Sequence, residues 1–176
     1  MTVTQPQASP TSIDPTGTHP TGTKPASQDK AIVKDYFNTT GFDRWQRIYG
    51  DGEVSKVQRD IREGHQRTID LVTYWLKTDA ELAPGGSLSG RTVCDAGCGV
   101  GSLSVPLAQL GATVSGSDLS EKMIGEAQAR AAELGFSDDR LHFETRDLEA
   151  IAGSYDIVAC IDVLIHYPDE EMEDML

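Results

Sequence analysis

The sequence predicts an α/β fold: a doubly wound, Rossmann-like parallel sheet preceded by a helical segment. Three observations carry that expectation. From Thr92 onward, short runs of β-branched and apolar residues alternate with helical patterns. Gly97, Gly99 and Gly101 fall between the first such strand and the first such helix. Between Lys30 and Leu76, by contrast, the large apolar side chains recur only at helical spacing. Alternating strands and helices form a parallel sheet with right-handed crossovers, and ligands bind at the strands' carboxyl ends.

In chain order, residues 1–29 hold seven threonines and five of the eight prolines but almost no large apolar side chain. Such a stretch cannot offset its own ordering entropy and is expected to be a disordered tail. Residues 30–80 place Phe42, Trp45, Ile48 and Tyr49 on one helical face, then Val54, Val57 and Ile61, then Leu71, Val72, Trp75 and Leu76. Two or three amphipathic helices follow, broken at 39–41 and 50–52. A loop with Pro84, Gly85 and Gly86 leads into a core at 91–176, with strands expected at 92–96, 113–117, 141–145 and 157–161 and helices at 102–110 and 120–134. Residues 171–176 open a further helix with Met172, Met175 and Leu176 on one face and no stop signal. A four-stranded sheet would leave its last strand as an open edge, so the expectation is a domain cut short after the fourth strand.

Composition narrows the function. At 176 residues the chain has room for one domain with a real core. Its 28 acidic against 15 basic residues give a net charge of −13, which repels a phosphate backbone and argues against a nucleic-acid partner. Only residues 30–77 hold more bases than acids, so an anionic ligand is expected there. No apolar run approaches the ~18 residues needed to cross a bilayer, and the first 29 residues have neither a signal core nor an arginine. Cys94, Cys98 and Cys160 are an odd number without paired spacing, which supports neither a disulfide framework nor a metal site and fits a reducing cytoplasm.

The glycine loop narrows it further. In Val93-Cys94-Asp95-Ala96-Gly97-Cys98-Gly99-Val100-Gly101, glycines let backbone approach a ligand closely. The third glycine of the dinucleotide fingerprint would fall at Ser102, and an ionised Asp95 would repel a pyrophosphate. The same carboxylate suits a ligand carrying an ammonium and a sulfonium, which favours S-adenosylmethionine over NAD. Asp118 ends the second strand about 20 residues after the first glycine, where a carboxylate can accept both ribose hydroxyls. Asp147 follows the third strand within reach of an adenine amino group; alone, either aspartate would more often be a helix cap or a solvated turn, and their regular placement after successive strands shifts the balance. After the fourth strand stands Asp162-Val163-Leu164-Ile165-His166-Tyr167-Pro168-Asp169. It lacks the Asn/Asp-Pro-Pro-Tyr sequence of amine-directed methyltransferases, which favours an oxygen or carbon acceptor on a small molecule. His166 could act on that acceptor or simply form a hydrogen-bonded wall.

Four blocks carry a resemblance. Residues 36–45 (Tyr-Phe-Asn-Thr-Thr-Gly-Phe-Asp-Arg-Trp), 47–52 (Arg-Ile-Tyr-Gly-Asp-Gly), 95–104 (Asp-Ala-Gly-Cys-Gly-Val-Gly-Ser-Leu-Ser) and 162–168 (Asp-Val-Leu-Ile-His-Tyr-Pro) closely resemble the magnesium-protoporphyrin O-methyltransferases of chlorophyll synthesis. The likeness runs from about Lys30 to the last residue; the glycine loop alone resembles the wider class I methyltransferase superfamily. The resemblance implies a class I methyltransferase fold with an N-terminal helical lid at 30–80. It implies transfer of a methyl group from S-adenosylmethionine to one propionate of Mg-protoporphyrin IX, giving the monomethyl ester. It implies cofactor binding by Asp95, Gly97, Cys98, Gly99, Asp118, Asp147, Leu148 and Asp162, and catalytic roles for Tyr49 and His166. It further implies a partner in the large, porphyrin-binding subunit of magnesium chelatase and peripheral contact with photosynthetic membranes. The arginine-free tail suits a cyanobacterial-type, cytoplasmic protein. Family members continue through three more strands and a substrate-covering insertion. One or two of Arg44, Arg47, Lys56, Arg59 and Arg62 are expected to meet the second propionate. Two other readings stand beside this one: methylation of another small acceptor such as a quinone ring, and cofactor binding without turnover.

Overall fold

The computed structural model describes the backbone of residues 26–49 and 52–166 and the side chains of 30–48 and 52–166. Within them, β1 (Thr92–Ala96), β2 (Thr113–Asp118), β3 (Leu141–Thr145) and β4 (Ile157–Ala159) form one sheet in the order β3-β2-β1-β4. All three pairings are parallel, with Thr92 beside Thr113, Val114 beside Leu141, and Val93 beside Ile157. A strand covered on both faces reads as a continuous apolar run rather than an alternation. That is why β1, whose Val93, Cys94 and Ala96 are all buried, takes the middle of the sheet.

The crossovers are α4 (Ser104–Gln109) and α5 (Glu121–Glu133). Ser120 caps α5, its hydroxyl accepting from the Met123 N–H at 3.2 Å, and Met123, Ile124, Ala127 and Ala131 form the buried stripe. Ile124, Ala127 and Ala131 pack with Leu88, Val93, Leu107, Val114, Leu141 and Phe143 into one core. Three helices precede the sheet: α1 (Ala26–Asn38), α2 (Thr40–Tyr49) and α3 (Lys56–Thr78). Ser55 and Gln58 form a reciprocal capping box at the start of α3. Arg62 donates to the carbonyls of Ile48 and Arg47, tying α3 to the end of α2. Ile69 is buried, and Val72 and Leu76 one and two turns on rest against the core.

The strand and helix order is the expected one, with β1 and β3 at the expected bounds. α4 starts at Ser104, two residues late, because the turn after Gly99 continues through Leu103. β4 stops at Ala159, two residues early, because the chain leaves the ladder and Asp162 enters the left-handed region at φ 58°. The break expected at 39–41 is a single turn residue, Thr39, whose hydroxyl donates to the Asp35 carbonyl at 2.6 Å. α1 begins at Ala26, inside the stretch expected to be tail. The rest of that tail, residues 50–51 of the second break and the helix expected at 171–176 lie outside the described residues.

Candidate active site

A cleft, partly open to solvent, lies at the carboxyl ends of the strands. Its floor is Asp95 of β1 and the loop that follows, with Gly97, Cys98 and Gly99, together with Asp118 at the end of β2. Phe37, Trp45, His65 and Ile69 of the three N-terminal helices form the facing wall, and Asp162, Val163 and His166 close the side beyond β4.

The loop is folded by its own hydrogen bonds. The N–H groups of Gly97 and Cys98 both donate to the Ser117 carbonyl, at 2.8 and 2.9 Å, which turns the chain sharply over the end of β2. Gly97 has φ 76°, and a Cβ there would stand 2.2 Å from Val163 Cγ2. Only glycine meets both demands. Beside Gly99, at φ 53°, the space a Cβ would point into is open, as close approach of a ligand to backbone requires.

Asp118 braces this loop from below. Its Oδ2 accepts from the Gly99 N–H at 3.0 Å and its Oδ1 from the Ser120 N–H at 2.8 Å, leaving each oxygen further lone pairs toward the cleft. Burial pushes its carboxyl up from the ordinary range, opposed by those two N–H groups and by nearby His166. Asp95 is only 3% exposed and accepts the Ser104 hydroxyl at 2.5 Å. Burial drives its pKa up to about 6, with the Ser104 hydrogen bonds pulling the other way and Asp118 adding repulsion. At neutral pH the site therefore holds a desolvated carboxylate, an environment that rewards an incoming cation.

The remaining expected residues are placed unequally. Cys98 is buried in the loop, its thiol 3.7 Å from the Gly99 carbonyl. Leu148 lines the cleft, whereas Asp147 faces α1: it caps the short turn Leu148–Ala150 and sits 3.4 Å from Lys30 Nζ. His166 stands edge-on to the Phe37 ring, with centroids 5.4 Å apart and planes at 82°. Asp162 is 3.7 Å from His65 Nδ1. Tyr49 ends α2, but its side chain lies outside the described residues. Arg44, Arg47, Lys56 and Arg59 are exposed and do not line the cleft, and Arg62 is committed to backbone carbonyls. The helical wall of Phe37, Trp45, His65 and Ile69 was not singled out as a site from the sequence; helical spacing marks an apolar face but not what it faces.

Comparison with known proteins decides the family. A methyltransferase domain model matches residues 93–176. Over 151 residues the chain is 60% identical to magnesium-protoporphyrin O-methyltransferase of Synechocystis sp., covering 86% of this chain and 63% of that one. The crystal structure of magnesium protoporphyrin IX methyltransferase from Synechocystis PCC 6803 with bound SAM matches at a TM-score of 0.76 and 60% identity, covering 84% of this chain and 68% of that chain. The chain belongs to the magnesium-protoporphyrin O-methyltransferase family. A second member, the chloroplastic magnesium protoporphyrin IX methyltransferase of Arabidopsis thaliana, is 49% identical over 149 residues, with 84% of this chain and 46% of the relative covered. The chain thus spans 63% and 46% of the lengths of these two relatives. Membership in the magnesium-protoporphyrin O-methyltransferase family agrees with the architecture. The parallel sheet, its glycine turn after β1 and its N-terminal helices are those of a class I methyltransferase fold.

Proposed function

We propose that this chain transfers a methyl group from S-adenosylmethionine to a propionate carboxylate of Mg-protoporphyrin IX, giving the monomethyl ester. The observation that carries the reading is the 60% identity to the Synechocystis methyltransferase, which extends through the lid helices as well as the glycine loop. In this reading residues 91–176 are the donor-binding core, 30–80 the lid and 1–29 a tail.

The residues present suit the donor. Bound in the cleft, S-adenosylmethionine supplies a methyl group on a positively charged sulfur. Asp95 offers its desolvated carboxylate to the positive end, and the Gly97-Cys98-Gly99 backbone lies open beside it. Asp118, its orientation locked by two backbone N–H groups, accepts from the ribose hydroxyls. Leu148 packs on the adenine, and Asp147 exchanges Lys30 for the amino group. Asp162 closes the site beyond β4.

A propionate is already ionised at neutral pH, so its methylation needs no general base. What the protein must supply is alignment and dryness. Phe37, Trp45 and Ile69 of the lid wall exclude water, and Tyr49 and His166 aim the carboxylate through hydrogen bonds. We further propose that the large, porphyrin-binding subunit of magnesium chelatase delivers the substrate. The work would be done in the cytoplasm, at peripheral contacts with photosynthetic membranes. No helix among the described residues is long and apolar enough to cross a membrane.

The test is incubation of the purified chain with S-adenosylmethionine and Mg-protoporphyrin, with chromatography of the porphyrin. Monomethyl ester is the expected product. Turnover only on a phenol or quinone would replace the acceptor, and a chain that binds the donor without methylating anything would refute the enzymatic reading.

A further inference from the structure

The carboxylate of Asp95 is dry, and a hydroxyl reaches it from a residue outside the cleft. Ser104 opens α4 nine positions along the chain and is 0% exposed, against 3% for Asp95. Its hydroxyl donates to Asp95 Oδ2 at 2.5 Å, a separation typical of an O–H group bound to an ionised oxygen. The Ser104 N–H adds a second hydrogen bond to the same carboxyl. Asp95 lines the cleft and Ser104 does not, so the serine grips the carboxylate from the core side.

Those two hydrogen bonds favour the charged form, while burial and the Asp118 carboxylate, facing from β2, oppose it. Cys94 of the same strand, Cys98 of the glycine loop and Cys160 beyond β4 also face Asp95. Burial pushes all three thiols up from their ordinary range, with the Asp95 charge adding to the effect, so they stay protonated. His65 of α3 and Asp162 and His166 past β4 line the same cleft. A carboxylate this buried keeps its charge only where donors hold it.

We propose that Ser104 is a positioning residue for the methyl donor: its hydroxyl and N–H hold the Asp95 carboxylate ionised and in one orientation, ready for the positive end of S-adenosylmethionine. The inference rests on the donor site proposed above and adds to it a residue that acts only through Asp95. Ser104 itself touches no ligand in this role.

The sign of the effect can be read in a pH profile. Binding of the cation requires charged Asp95, which protonates as pH falls through about 6. Losing a hydrogen bond that favours the charged form moves that midpoint up, by about one pH unit for a single hydroxyl. In calorimetry on the full chain, Ser104→Ala should therefore bind S-adenosylmethionine about fivefold more weakly than the parent at pH 6 and within about twofold of it at pH 8.5. Ser104→Thr keeps the hydroxyl and should return the parental profile. In an Asp95→Asn background there is no charge to hold, and Ser104→Ala should change affinity by less than about twofold at both pH values. Thermal unfolding checks that each variant is folded; should the extra methyl of Thr prevent folding, the Asp95→Asn pair decides. An Ala variant weakened equally at both pH values, or at neither, would overturn the inference and leave Ser104 a packing residue. A pH-dependent loss that persists in the Asp95→Asn background would overturn it as well. Failure of the unaltered chain to bind S-adenosylmethionine would overturn this proposal together with the donor site it rests on, whereas binding whose pH midpoint ignores Ser104 would overturn this proposal alone.

Discussion

Replacing Asp95 by asparagine should make the ligand-free chain more stable and its site worse. The side chain is 3% exposed and its carboxyl is raised from 3.8 to about 6, so the folded state holds the proton more tightly than the unfolded one. A shift of about two units corresponds to about 3 kcal/mol against folding once both states are ionised. The sign follows directly. Below about pH 4 both states are protonated and the cost vanishes; it grows as pH rises toward about 6 and is constant above that. Asparagine keeps the shape and an acceptor for the Ser104 hydroxyl but carries no charge. Urea denaturation should therefore find the Asp95→Asn chain more stable by about 3 kcal/mol at pH 8 and by about half of that at pH 5. Calorimetry with S-adenosylmethionine should show the reverse. Unaltered chain should lose affinity as pH falls through about 6, by up to about tenfold per unit, and the variant should bind more weakly and without that dependence. An asparagine variant less stable than the parent at pH 8, or more stable by the same amount at every pH, would refute the idea that a desolvated charge is stored there for a cationic ligand.

Three further outcomes can be measured on the same chain. Asp118→Ala removes a carboxylate locked by two backbone N–H groups and should weaken S-adenosylmethionine by about 1–3 kcal/mol in calorimetry, with no comparable binding of NADH; unchanged affinity would take Asp118 out of the site. Gly101→Ala places a Cβ 2.7 Å from Phe143 Cζ at a φ of 75°, so thermal unfolding should report a loss of about 1–3 kcal/mol, and an unaltered melting temperature would show that the buried ring yields freely. Changing Tyr49 or His166 to Phe should lower turnover by about tenfold or more while donor affinity stays nearly the same, because both act on the acceptor; full activity in both would leave them as a lid aromatic and a wall histidine.

The floor of the cleft was legible in the sequence and its roof was not, for a physical reason. Asp95, Gly97 and Asp118 sit at strand ends, and in a parallel sheet the order of elements alone brings strand ends together. Phe37, Trp45, His65 and Ile69 come from three helices whose spacing shows an apolar face but carries no information about docking angle. The likeness of the 36–45 block to a known family marked the region without saying which side chains turn inward. Asp147 shows the converse. Its position after β3 is as regular as that of Asp118, yet its carboxylate meets Lys30, a long-range pairing that no local pattern encodes. The early end of β4 was hidden for a similar reason, since residues 157–161 have strand composition and yet the ladder ends at Ala159, ahead of the left-handed turn at Asp162.

The order β3-β2-β1-β4 also bears on how the site comes into being in time. Pairing β1 with β2 closes a loop of about 20 residues, whereas pairing β1 with β4 closes about 60, a difference of about 1 kcal/mol in closure entropy. During synthesis β2 and β3 emerge from the ribosome before β4 does. The glycine turn and Asp118 can thus be assembled while the wall that carries His166 is still unmade, so a nascent chain acquires the means to hold its donor before the means to aim an acceptor.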